Sequence, residues 1–185
     1  MKLLICSDIH GGENESIALV KLAEEVDNVI ILGDVLYHGP RNELPLGYRP
    51  KGVIPQIDKL KDKLIVAIRG NCDAHVDEMV LGIKLHDEYH INIDGYKTLL
   101  THGHLTIDEK DSSIVMSGHT HIPVCEKKGD KIYFNPGSTT IPKENNPPSY
   151  GLYEDGVLKV INLNTNECFM SIDIKENLKW LNLLY

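Results

Sequence analysis

The stretch "KLLICSDIHGG", residues 2–12, decides the fold, because an apolar run of strand length ends abruptly at polar residues. The run from Leu3 to Cys6 is typical of a short strand that is buried on both faces. Asp8 and His10 follow this strand directly, at the end where open α/β sheets bind their ligands. The stretch therefore predicts a buried first strand with candidate ligand side chains at its carboxyl end.

Alternating strands and helices continue from this first strand. Residues 15–26 place apolar side chains at helical spacing, and residues 28–32 form a second apolar run that ends at a glycine and an aspartate. Residues 35–50 are rich in Gly and Pro and predict a long loop, which a helix over 53–60 follows. Residues 63–68 are a third apolar run. The order β-α-β-α-β predicts a mostly parallel sheet.

The second half of the chain changes to short strands with tight separators. Gly129 with Asp130, and residues 154–156, predict hairpins between neighbouring strands. Leu178, Leu181 and Leu184 have helical spacing and predict a final helix across a sheet. The predicted strands are too many for one small sheet, so we expect an α/β fold of two packed sheets with helices outside, as a single domain over residues 1–185. They cover residues 88–93, 97–103, 113–120, 122–129, 131–135, 150–163 and 166–174.

Composition and charge exclude several classes of protein. The 185 residues carry a formal net charge of −8 without a cluster of basic residues, which argues against an extended nucleic-acid groove. No apolar run is long enough to cross a bilayer. The opening apolar stretch is too short and too polar for a signal peptide. The four cysteines follow no zinc-knuckle or CxxC spacing. Reduced thiols in a cytoplasmic protein are the simplest interpretation.

Polar residues of ligand type recur at the ends of five predicted strands. Imidazole nitrogen with carboxylate oxygen suits Mn, Fe, Co, Ni or Zn better than Ca. Asp34 can bridge two ions because both its oxygens have free lone pairs, and Asn71 can add a neutral carbonyl oxygen. Because this placement recurs after five strands, it favours a metal site over the alternative that each residue is an isolated helix cap or turn residue. The five groups are Asp8 with His10, Asp34, Asn71, His102 with His104, and His119 with His121.

The order and local context of these groups resemble the calcineurin-like metallophosphoesterases. The motifs are Asp8-x-His10, Gly33-Asp34, Gly70-Asn71, "THGH" at 101–104 and "GHTH" at 118–121. The stretches "GDVLYHGPRN", "RGNCD", "GHTHIPV" and "FNPGS" are further similar to the YfcE-type bacterial phosphodiesterases. The resemblance implies a four-layer α/β/β/α sandwich with a two-metal centre, most simply of Mn²⁺, at one rim.

The resemblance also implies seven ligands for two ions that share one carboxylate, and a hydroxide between the ions that attacks phosphorus in line. One ion is assigned to Asp8, His10, Asp34 and His121. The other ion is assigned to Asp34, Asn71, His102 and His119.

Other polar residues lie near the same predicted rim. Arg69 is a candidate for a phosphate oxygen, with pairing to Asp73 as the alternative. Cys72 stands where many superfamily members carry a histidine that protonates the leaving group; the alternative is that it only fills space. The remaining candidates are His104, which would line the site, His38, which would contact substrate or order its loop, and Asn135, for which a turn role is the default.

The sequence therefore predicts a metal-dependent phosphodiesterase that acts on a small phosphodiester. A phosphomonoesterase or a nuclease of the same superfamily is the alternative within enzymes, and the negative charge argues against the nuclease. A Vps29-like binding scaffold is the alternative from another class, although the complete ligand set argues against it. The resemblance adds the expectation of a homo-oligomer.

Overall fold

Twelve strands and four α-helices make up the computed structural model, which describes residues 1–178. The strands are β1 (Lys2–Cys6), β2 (Asn28–Ile31), β3 (Leu64–Ile68), β4 (Leu85–His86), β5 (Glu88–Ile93), β6 (Tyr96–Thr101), β7 (Ile114–Met116), β8 (Val124–Lys128), β9 (Lys131–Asn135), β10 (Ser149–Glu154), β11 (Val157–Asn162) and β12 (Cys168–Asp173). The helices are α1 (Glu13–Ala23), α2 (Pro50–Leu60), α3 (His75–Leu81) and α4 (Ile174–Leu178). No helix within the described residues is long and apolar enough to cross a membrane.

The strands form two mixed sheets. The first has seven strands in the order β12-β11-β10-β1-β2-β3-β4, and its run from β1 to β4 is parallel. The second has five strands in the order β5-β6-β7-β9-β8, with β6, β7 and β9 parallel. Two mixed sheets with flanking helices confirm the predicted fold class.

Strand β1 shows why its sequence is apolar without alternation. Leu3 and Ile5 point into the core between the two sheets, where they join side chains of the second sheet such as Phe134. Leu4 and Cys6 point to the other face, where they pack with apolar side chains of α1 and α2. Because successive side chains alternate between two buried faces, every position from Leu3 to Cys6 must be apolar.

The predicted elements are confirmed with shifted ends, and two elements were missed. Helix α2 begins three residues earlier than expected, at Pro50, which suits the first turn of a helix. The hairpins β8–β9 and β10–β11 lie where their turn residues predicted them. Helix α3 and strand β4 were missed because both are short, and α3 exposes apolar residues such as Met79. In the predicted C-terminal helix, Leu178 is buried, while Leu181 and Leu184 lie outside the described residues.

The two sheets bring their strand ends to one rim. The loops after β1, β2 and β3 come from the first sheet, and the loops after β6 and β7 come from the second. Backbone hydrogen bonds extend the pairing past the strand ends, from Asp8 N to Gly33 O at 3.0 Å and from Gly118 N to His102 O at 3.1 Å. Loops that are far apart in the chain are therefore held side by side.

Candidate metal centre

Five of the seven predicted ligands have left-handed backbone conformations. Such conformations cost roughly 1–3 kcal/mol for residues other than glycine and concentrate at functional sites. The strain shows that the surrounding structure holds these residues in place against their local preference. They are Asp8 (φ 54°), His10 (44°), Asp34 (56°), His119 (68°) and His121 (61°).

The glycines before Asp34 and Asn71 are required by close contact between two loops. Gly33 has φ of 101°, and a Cβ there would lie 2.7 Å from both Gly70 N and His102 Nδ1. A Cβ on Gly70 would overlap the carboxylate of Asp34. The motifs Gly33-Asp34 and Gly70-Asn71 therefore depend on each other, because each glycine leaves room for the other loop.

His10, His121 and Asp8 form one cluster of ligand atoms. The Nδ1 atom of His10 donates a hydrogen bond to Tyr37 O at 2.7 Å, and that of His121 donates to Ile141 O at 2.6 Å. Their Nε2 atoms, which then carry lone pairs, lie 3.1 Å apart. Asp8 Oδ1 lies 3.3 Å from His121 Nε2 and has no hydrogen-bond partner. Two facing lone pairs and an unpaired carboxylate oxygen fit a bound cation, with the carbonyls orienting the rings.

Asp34 and His102 form a second cluster that adjoins the first. His102 donates from Nδ1 to Leu32 O at 2.6 Å, and its buried Nε2 has no hydrogen-bond partner. Asp34 Oδ2 lies 3.4 Å from His102 Nε2 and 3.6 Å from His10 Nε2. The carboxylate of Asp34 thus lies between the two clusters, in the position that a shared ligand needs.

Asn71 and His119 lie at the exposed side of the centre and contact each other. Asn71 Oδ1 accepts a hydrogen bond from His119 Nδ1 at 2.6 Å, while Asn71 Nδ2 donates to Cys72 Sγ at 3.1 Å. The rings of His119 and His102 have centroids 5.3 Å apart. The structure therefore brings all seven predicted ligands to one rim, with these two hydrogen-bonded to each other.

The electrostatics of the clusters favour ionised carboxylates. Burial raises the pKa of Asp34, but the His102 ring, whose Nε2 lies 3.4 Å from Asp34 Oδ2, outweighs burial and lowers the pKa to about 2. Burial likewise opposes the ionisation of Asp8, whose pKa the neighbouring histidines hold below its usual range. Burial lowers the pKa of His102, yet the carboxylates of Asp34 and Asp8 raise it to about 9. Two buried anions at this spacing need positive charge close by.

Asp73 is a residue of the site that the sequence did not single out. Its carboxylate accepts backbone hydrogen bonds from Asp34 N at 2.8 Å, Val35 N at 2.8 Å and Gly70 N at 2.7 Å. It therefore ties the loop after β2 to the loop after β3. The local signal was an aspartate three residues after a glycine in a turn, but its partners lie far away in the sequence.

Arg69 lies away from the ligand cluster. Its guanidinium pairs with Glu78 at 2.9 Å and with Asp87 at 3.5 Å, so the alternative pairing with Asp73 is wrong. Asp73 instead accepts only backbone donors within the described residues. The structure does not place Arg69 in the lining of the pocket over the centre.

Cys72 and His104 lie next to the ligand cluster. The Cys72 thiol lines the pocket, and burial together with the charge of Asp34 raises its pKa to about 12. The His104 ring lies 5.4 Å from that of His102, and its buried Nδ1 has no hydrogen-bond partner. Cys72 therefore faces the pocket directly, whereas His104 lies beside the rings of His102 and His119.

His38 and Asn135 have structural contacts that account for them. The His38 ring packs edge-on against Tyr37 and Tyr48, at centroid distances of 4.7 and 5.1 Å, and so orders the loop after β2. Asn135 is buried, and its Nδ2 donates to Gly118 O at 2.7 Å. Asn135 thus holds the turn that carries the "GHTH" histidines.

A pocket of about 350 Å³ opens over the ligand cluster. Its lining includes Arg41 from the loop after β2 and Lys143 from the loop after β9, neither of which the sequence singled out. Both lie in long irregular segments, where no periodicity marks a residue as part of a site. The full lining is Asp34, Gly39, Pro40, Arg41, Asn42, Asn71, Cys72, His119, Thr120, His121 and Lys143.

Comparison with known proteins gives consistent matches. Residues 1–155 match the calcineurin-like phosphoesterase superfamily domain. The chain is 40 % identical over 182 residues to the phosphodiesterase YfcE of Escherichia coli K12, covering 94 % of this chain and 98 % of that one. It is 29 % identical to the probable metallophosphoesterase YsnB of Bacillus subtilis, over 82 % and 83 % of the two chains.

Solved structures extend this likeness to the fold. The structure of YfcE, a phosphoesterase from E. coli, matches with a TM-score of 0.87 at 39 % identity, over 94 % of this chain and all of that one. Vps29 from Entamoeba histolytica in complex with zinc matches with a TM-score of 0.65 at 21 % identity, over 94 % and 99 % of the two chains. The second match shows a shared fold alone.

Proposed function

Because the chain belongs to the calcineurin-like phosphoesterase superfamily, we propose that it is a metal-dependent phosphodiesterase acting on a small phosphodiester. The observation that carries the proposal is the 3.1 Å approach of the His10 and His121 Nε2 atoms beside the unpaired Asp8 Oδ1. This donor set fits a bound cation. The relative named a phosphodiesterase, at 40 % identity, supports the diester class.

The residues of the chain would hold two ions in adjoining clusters. Asp34 would be the shared ligand, since its carboxylate lies between His10 and His102. Nitrogen and oxygen donors together suit Mn, Fe, Co, Ni or Zn better than Ca, and Mn²⁺ is the ion we propose among them. Bound divalent ions would activate a water for in-line attack and offset charge on the phosphoryl oxygens. The first ion would take Asp8, His10, Asp34 and His121, and the second Asp34, Asn71, His102 and His119.

The chain's own groups would orient these ligands. They would supply only a weak proton donor for the leaving group. Carbonyl oxygens fix the rings of His10, His102 and His121 through their Nδ1 atoms. The Asn71 amide donates to Cys72 Sγ, which directs its oxygen toward His119. With its pKa raised to about 12 by burial and by Asp34, the Cys72 thiol would be a poor proton donor. Leaving-group stabilisation would then rest on the metal centre.

Metal content and turnover, measured together, test the proposal. The protein loaded with Mn²⁺ should hydrolyse bis(4-nitrophenyl) phosphate faster than 4-nitrophenyl phosphate, and EDTA should abolish both activities reversibly. Activity should fall below about pH 6, because histidines must be neutral to bind metal. Full activity after exhaustive chelation would exclude the metal mechanism. Bound metal without turnover of any ester would favour a Vps29-like scaffold instead.

The same proposal covers the organisation of the chain. Ligand residues come from loops of both sheets, which supports residues 1–185 acting as one catalytic domain. The four cysteines are all free, which supports a reducing cytoplasmic location. Sedimentation of the purified protein would test the expected homo-oligomer.

A further inference from the structure

Two cationic side chains line the pocket without an acidic partner. Within residues 1–178 neither Arg41 nor Lys143 forms a salt bridge, and neither side chain donates a hydrogen bond to the protein. Arg49, at the far end of the same loop as Arg41, does pair with Glu13 at 2.9 Å. Both side chains are exposed, and in a chain with a net charge of −8 two cations that line the same pocket favour an anionic ligand there.

The two cations come from different loops that line the pocket. Arg41 belongs to the loop after β2, and Lys143 to the loop after β9. Both share the pocket lining with His119 and His121 of the "GHTH" turn. The pocket over the ligand cluster is therefore bordered by one cation from each of two loops.

The backbone that carries each cation is held in place. Asn42, next to Arg41, donates from Nδ2 to His38 O at 2.7 Å. Lys143 donates from its backbone N to His121 O at 3.3 Å and accepts from Asn146 Nδ2 at 2.9 Å. The bond to His121 ties the second loop to the centre, while the other two bonds order each loop internally, so less backbone conformational entropy is lost when a ligand engages this pocket.

A simple phosphodiester does not account for both cations. It carries one negative charge, which divalent ions held by the ligand cluster would neutralise. Resting on the proposed function, we propose that Arg41 and Lys143 bind a second anionic group, a carboxylate or a phosphate, on an alcohol part of the diester. The planar fork of Arg41 suits two oxygens of such a group, and Lys143 adds a point charge from the second loop. The substrates are then diesters with two or more negative charges.

Three 4-nitrophenyl phosphodiesters that differ only in the second alcohol test this inference. The alcohols are 2-carboxyethyl, its uncharged isostere 2-carbamoylethyl, and 2-phosphonoethyl. The Mn²⁺-loaded protein should prefer at least one charged ester over the amide by about tenfold in kcat/KM, because a charge-assisted hydrogen bond is stronger than a neutral one. Arg41→Gln and Lys143→Gln should each reduce that preference, chiefly through KM. Lys128→Gln, on an exposed hairpin, is the matched control and should retain it.

The other outcomes overturn the inference. No preference for either charged ester, or a preference that either variant retains in full, would exclude the shared clamp. An equal loss on all three esters would place the two cations on the scissile phosphate instead. If no ester is turned over, the proposed phosphodiesterase activity fails. Calorimetric titration of the same esters into the metal-loaded protein would still measure the charge preference.

Discussion

The Nε2 atoms of His10 and His121 lie 3.1 Å apart, although each ring already donates its Nδ1 hydrogen to a backbone carbonyl. The two residues are 111 positions apart in the chain and come from loops of different sheets. At this distance the two Nε2 atoms can share a proton, which the raised pKa of His10 beside Asp8 and Asp34 favours against the effect of burial, or they can share a cation. A metal ion bound at this rim would therefore compete with that proton, so metal affinity depends on pH.

Without metal, the stability of the protein should depend on pH through His102. Its folded pKa is about 9, above the unfolded value near 6.5, so its contribution is full below about pH 6.5 and is lost as the pH rises through 9. The melting temperature of the metal-free protein should therefore decrease as the pH is raised from about 6.5 to about 9. His102→Gln should show a smaller fall over the same range. Equal pH dependence in both proteins would contradict the raised pKa.

Asp34→Asn should bind less metal and lose nearly all activity while staying folded. The asparagine retains an Oδ1 that accepts the Cys72 N–H, now 2.8 Å from Asp34 Oδ1, but it lacks the charge that a shared ligand needs. Metal stoichiometry and circular dichroism should be measured on the same sample. Asp58→Asn, on the exposed surface of α2, is the control. Normal stoichiometry with normal turnover would remove Asp34 from the centre.

Cys72→Ala should cost less than about tenfold in turnover, because a thiol with a pKa of about 12 donates protons poorly. Cys72→His should raise turnover of alkyl esters specifically, since a positioned acid contributes about 10²–10⁴-fold. The measurement is turnover of a series of aryl and alkyl phosphodiesters by the three proteins. A loss of a hundredfold or more in Cys72→Ala, with its metals bound, would show that the thiol takes part in catalysis.

Asp73→Asn should weaken metal binding as well as stability. The substitution replaces an acceptor oxygen by an amide that faces the backbone N–H groups of Asp34, Val35 or Gly70, at a cost of about 1–3 kcal/mol. Asp77→Asn is the matched control, because Asp77 caps only Ala74 N at the start of α3. The Asp77→Asn variant should lose stability but keep its metal affinity. The two variants are compared by urea unfolding and by metal titration.

Most strands and the candidate ligands could be predicted from the sequence because both give local patterns. Apolar runs such as Leu3 to Cys6 predict strands by themselves, and Asp8 or Asp34 is recognisable by its place directly after a run. The glycines at 33 and 70 mark the same points, since only glycine fits where the loops touch. These local signals together were therefore enough to predict the fold class and the rim of the sheets at which the candidate ligands lie.

The residues that sequence did not single out act through partners far along the chain. Asp73 binds backbone groups 38 and 39 positions away, and nothing within its own turn predicts that contact. Arg41 and Lys143 lie in irregular loops whose course depends on packing rather than on periodicity. Local composition determined which segments are strands and which side chains can bind metal. Only the tertiary structure decided which of them meet, because hydrogen bonds and charges between distant loops depend on distances that no local pattern encodes.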